Sequence, residues 1–155
     1  MKRLAIIVTL AAFLVLPAVA AAVYFVWPSP WVTVQMKGSN PQCSTTAMGP
    51  DRALGAPNTF DIYFGGGTSC ATGRGLKSLT VELQIAVPNR PGHIEWLPAK
   101  TVVQNGYAGN PLRLRGFLHV VGGGTSHQYR VSATGLVTFG TRGYSSTAIS
   151  KVLTA

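Results

Sequence analysis

From Ser78 to Val87 the chain reads SLTVELQIAV, and every second residue is aliphatic. Leu79, Val81, Leu83, Ile85 and Val87 point to one side of an extended chain, and Thr80, Glu82, Gln84 and Ala86 to the other. A period of two is the signature of a strand with one face on a core and one in water. WVTVQM (31–36), TFDIYF (59–64), HIEWL (93–97), KTVVQ (100–104), LRLRGFLHVV (112–121), HQYRVSATG (127–135) and SSTAISKVLT (145–154) read as further strands. No segment beyond Trp27 keeps a helical period of useful length. With 18 Gly and 10 Pro in 155 residues, turn-formers are frequent enough to punctuate such strands. The expectation is one all-β domain of about 7–9 short antiparallel strands, a sandwich or barrel. Residues 37–58, rich in Gly, Pro, Ser and Asn, read as a long loop carrying Cys43, and PNRPG (88–92) as a turn.

The pentapeptide GGGTS occurs at 65–69 and again at 122–126. A phosphate-cradling loop would need a helix behind the glycines and usually a Lys followed by Ser or Thr. Cys70 follows one copy and His127 the other, so both copies read as turns, the second joining 112–121 to 127–134 in a hairpin.

The N-terminus directs the chain to a membrane. Lys2 and Arg3 precede an uncharged apolar run from Leu4 to Trp27, whose 24 residues suffice to cross a hydrocarbon core of about 30 Å. Pro17 and Ala18-Val19-Ala20 also fit a cleavable secretory signal. Residues 1–27 are therefore a signal peptide or a signal-anchor transmembrane helix with its N-terminus inside, and Tyr24, Trp27 and Trp31 fall where an outer aromatic belt would sit. Residues 28–30 (PSP) form a Pro-rich link, and 31–155 form an extracytoplasmic domain. Cys43 and Cys70, an even pair in an exported domain, are expected to form a disulfide closing a loop of about 28 residues.

Thirteen Lys and Arg against four acids give a formal charge of +9. Such a balance favours anionic partners: nucleic acid, acidic glycans, anionic lipid headgroups or wall polymers; an anionic envelope polymer or a partner protein is the expected partner. Specific nucleic-acid reading is not expected of an exported domain without a recognised motif. In the hairpin register, Arg113, Arg115, Phe117 and His119 share an outer face with Arg130, while Leu118, Val120, Tyr129 and Val131 face the core. That stripe is the candidate anion-binding site. The same register sends His119 and His127 to opposite sides, so no metal site is expected there. No small-molecule cofactor is implied. Ser69 and Ser126 lie outside any GxSxG elbow, and Asp51, Asp61, Glu82 and Glu95 form no evident catalytic pair, so no catalytic residue is assigned.

HQYRVSATG, a Gly-rich loop and SSTAISKVLT resemble the last two strands of fibronectin type III and related immunoglobulin-like modules, and LTVELQ, a Pro-Gly turn and Trp96 are similar to their middle. The resemblance covers residues 78–154 and implies an immunoglobulin-like β-sandwich, with Tyr129 as the corner tyrosine and Val131 and Ala133 in the core. The chain as a whole is similar to small exported bacterial proteins. Two features depart from the pattern: the cysteines lie N-terminal to the strands that antibody domains bridge, and LRLRGFLHVV is long for its place. The expected function is a non-enzymatic binding or scaffolding module at the cell envelope, single-pass anchored or secreted. A small secreted hydrolase and a surface-filament subunit are the alternatives.

Overall fold

The chain is described by a computed structural model covering residues 27–54, 58–122 and 126–155. The expected N-terminal helix lies outside these residues, apart from Trp27. Among the described residues no helix is long and apolar enough to cross a membrane.

The alternating segments do become strands: β1 (Trp31–Gln35), β2 (Cys43–Leu54), β3 (Thr59–Cys70), β4 (Leu76–Arg90), β5 (His93–Tyr107), β6 (Leu112–Val121), β7 (Gln128–Phe139), β8 (Arg142–Ile149) and β9 (Leu153–Thr154). They form two antiparallel sheets, β1-β2-β3-β6 and β5-β4-β7-β8, with β9 pairing β7. The sheets pack face to face as a β-sandwich. Ile62 and Phe64 from the first meet Leu79, Val81, Leu83, Tyr129, Val131 and Ala133 from the second, all buried. β4, β6 and β7 turn the expected side inward, because only one of their two faces is apolar enough to leave water.

Four expectations are corrected. Residues 43–54 are not loop but β2, paired with β1 on one side and β3 on the other. Its inward side chains, Cys43, Thr45 and Ala47, are small, so it lacks the bulky alternation that marks a strand in sequence. The first GGGTS is not a turn: it continues β3 in mid-sheet, paired with both β2 and β6. A Cβ on Gly66 would stand 2.7 Å from Val81 Cγ2 and 3.0 Å from Ala133 Cβ, so this glycine lets the two sheets approach. The second copy joins no hairpin. β6 pairs β3 and β7 pairs β4, so the connection between them crosses from one sheet to the other. Residues 123–125 lie outside the described residues. The two short strands expected around Pro98 are one strand, β5, whose register against β4 shifts between Leu83 and Gln84. The turn at 88–92 tightens to Pro91-Gly92, with Gly92 at φ +80°.

The disulfide is present. Cys43 and Cys70 face each other across β2 and β3 with Cα atoms 4.0 Å apart. It lies beside Met36 and Val137 in a second small core at this end of the sandwich. Here β4 also carries a buried Lys77, whose Nζ donates to the carbonyls of Gly73 (3.1 Å), Arg74 (3.4 Å) and Gly75 (3.2 Å). Its charge thus closes the crossover from β3 to β4, and burial lowers its pKa from the ordinary lysine value.

Candidate functional site

On β6 the side chains alternate strictly. Leu112, Leu114, Leu118 and Val120 face inward, and Arg113, Arg115, Phe117 and His119 stand on the exposed outer face. Arg130 also faces outward, from β7, but β7 belongs to the other sheet. Since the sheets pack face to face, Arg130 lies on the opposite side of the molecule from the four β6 residues. The expected five-residue stripe is therefore split. A hairpin would have made β6 and β7 share a face; crossing between sheets puts their outer faces back to back.

The two halves differ in chemistry. Arg130 is held in place: its Nε donates to Gln84 Oε1 at 2.9 Å, its guanidinium lies 4.3 Å from the centroid of the Trp96 ring, and Gln84 Nε2 donates to Glu82 Oε2 at 2.8 Å. Partial burial lowers its pKa from the ordinary arginine value. This arrangement fastens β4, β5 and β7 together and holds Arg130 half-buried.

The outer face of the β1-β2-β3-β6 sheet is more open. Reading across it, Arg113 stands opposite Gly67, Arg115 opposite Gly65, Phe117 opposite Tyr63, and His119 opposite Asp61. Gly65 and Gly67 have no side chains to fill this face, and the Trp27 ring lies in the space beside Gly65. The guanidinium carbons of Arg113 and Arg115 are 5.6 and 5.4 Å from the Trp27 ring centroid. One indole therefore has two cations within the range of cation–π attraction. The Tyr63 and Phe117 rings are 6.0 Å apart. Further along, His119 Nδ1 meets Asp61 Oδ1 at 2.7 Å.

The link of residues 28–30 lies against this same face. Pro28 is buried, Trp31 Nε1 donates to Pro28 O at 2.8 Å, and Gly49 N donates to Pro30 O at 3.0 Å. Trp27 and Tyr63 thus join the site, although sequence reasoning had not placed them there. The signal for Tyr63 was its alternation with Ile62 and Phe64. For Trp27 it was the pair of glycines opposite two arginines, which makes sense only once β3 is known to continue through them.

A histidine on a carboxylate is the base-and-orienter part of a hydrolase, which also needs a nucleophile. The register surrounds His119 and Asp61 with Ala53, Thr59, Tyr63, Phe117 and Val121, so among the described residues no serine adjoins the pair in the sheet. His127 lies at the start of β7 beside Tyr129, in the other sheet. Among the described residues no three His, Cys, Asp or Glu side chains gather as a metal site. What the outer face offers is an exposed surface of aromatic rings and guanidinium groups, suited to contact an anionic surface or polymer. No protein-family model matches the chain, and no curated protein matches it.

Proposed function

We propose that this protein is a non-enzymatic, extracytoplasmic immunoglobulin-like module that binds an anionic ligand at the cell envelope through the outer face of β1-β2-β3-β6. The observation that carries the reading is the pair Arg113 and Arg115, both within cation–π range of Trp27, on an exposed sheet face. The strand order supports the immunoglobulin-like assignment. β5-β4-β7-β8 follows the order C′-C-F-G, and β2-β3-β6 follows A-B-E, all neighbours antiparallel, with β1 as an additional strand at the edge beside A. Tyr129, buried at the start of β7, stands where such modules carry their corner tyrosine. The disulfide and the secretory-type N-terminus support placement outside the cytoplasm.

The test separates this face from net charge. Arg113→Gln/Arg115→Gln and Arg130→Gln/Arg142→Gln each remove two positive charges, the first pair from the proposed face. On an immobilised anionic polymer such as heparin, the first variant should elute at clearly lower salt than the wild type, and the second closer to it. If the two variants elute together, the protein has only a diffuse basic surface and the reading fails.

A further inference from the structure

Resting on that reading, we propose that the anionic ligand is the phospholipid surface itself: the Arg113/Arg115 end of this sheet face lies against the headgroups of the bilayer to which the chain's own N-terminal segment directs it. Three observations converge. First, the apolar run of residues 4–27 ends at Trp27, and Trp27 is on this face, within reach of both arginines. Second, nothing in the structure separates the end of the run from the domain. Residues 28–30 are fastened to the sheet through Pro28 O and Pro30 O, so they cannot hold the domain away as a free spacer would. A run that spans the bilayer and ends at Trp27 therefore brings this face to the interface. Third, the chemistry fits that depth. Trp31 is 51% exposed, with its indole N–H already donated to Pro28, so its ring is free for the apolar side of the interface while Arg113 and Arg115 meet phosphate.

The charges on this face are not uniform. Arg113 and Arg115 occupy two successive rows level with Thr33 and Trp31, whereas Asp51 and Asp61 lie in the rows beyond, toward Val121, where Asp61 is met by His119. The contact is thus with the arginine end, and the acidic end tilts toward water. A tethered surface needs little intrinsic affinity, because the anchor supplies a high effective concentration of headgroups. The opposite sheet face carries Glu82 and a half-buried Arg130 hydrogen-bonded to Gln84, whereas Arg113 and Arg115 are exposed, so it is the weaker candidate for headgroups.

The experiment uses the full chain, with its native disulfide intact, reconstituted in nanodiscs. A fluorophore is placed at Thr33→Cys, in the arginine row, or at Thr101→Cys, on the outer face of the other sheet. Quenching by headgroup spin-labelled lipid is then measured in phosphatidylglycerol and in phosphatidylcholine. The expected result is strong quenching at position 33 in phosphatidylglycerol and little at 101. Quenching at 33 should fall toward the level at 101 in phosphatidylcholine, in the Arg113→Gln/Arg115→Gln background, and at about 1 M salt, where the Debye length is about 3 Å. The salt arm uses the unmutated face, so the test does not depend on the variant folding. Equal quenching at the two positions, or quenching at 33 that is the same in both lipids, overturns the proposal. If position 33 stays unquenched while Arg113 and Arg115 still govern retention on heparin, the ligand is a soluble polymer: this inference falls and the proposed function stands. If both signals are absent, both fall.

Discussion

Lys77 shows how a charged residue can occupy a core position. Its place in the alternation of β4 is inward, the side shared with Leu79, and only the three carbonyls of residues 73–75 make burial there tolerable. Lys77→Met keeps the volume but leaves those carbonyls without their donor, so it should destabilise by about 1–3 kcal/mol in chemical denaturation. The pH dependence has a definite sign. The unfolded chain keeps the lysine proton up to about pH 10.4, while burial makes the folded chain release it earlier. The unfolded state therefore binds more protons in that window, and the wild type should gain stability relative to Lys77→Met as pH rises through it. Tyr129, whose pKa burial raises, is common to both proteins and cancels in the difference. Gly66 makes the opposite point about space. Gly66→Ala would force a methyl against Val81 and Ala133, and a loss of about 1–3 kcal/mol is expected from thermal or urea melts. Neither role could be read in the sequence: Lys77 precedes the alternating stretch, and Gly66 sits in what looked like a turn. Inward residues such as Leu79, Val131 and Ala133 were legible because each strand's periodicity states its own buried side.

Strands were legible where side chains alternate in size and polarity, as in β4, β6 and β7. They were illegible where tertiary pairing decides. In β2, Ser44, Thr45, Thr46 and Ala47 carry little hydrophobic contrast, and the strand exists because β1 and β3 bond it on both edges. That makes a measurable difference. Amides of residues 44–48 should exchange with deuterium far more slowly than those of the exposed 37–40 turn, whereas a long loop would exchange throughout. The same reasoning explains the misread hairpin. A Gly-rich stretch between two strands states that the chain turns, but not whether the second strand pairs with the first or passes to the facing sheet. That choice depends on partners distant in sequence: β3 for β6, and β4 for β7.

At the scale of the whole molecule, the outward side of every candidate residue on β6 and β7 was legible, and their grouping was not. A sandwich has two outer faces, and strand periodicity alone does not assign a strand to one of them. Arg113, Arg115, Phe117 and His119 stay together because they share a strand, and Arg130 leaves them because its strand is in the other sheet. The disulfide carries a further consequence when the protein is considered as a mechanical object. A domain held at its N-terminus and loaded from its C-terminal side takes up tension first at residue 27 and β1. Peeling can proceed through β1 to Cys43, where the load passes directly to Cys70 and bypasses the segment between them. Single-molecule pulling on the oxidised protein should therefore release less chain than on the reduced protein. The missing length is set by the 27-residue separation of the cysteines and amounts to about 90 Å of extended backbone. β2 and most of β3, which carries Gly65 beside Trp27, lie within the bypassed loop, so traction that strips β1 leaves this part of the chain unstretched.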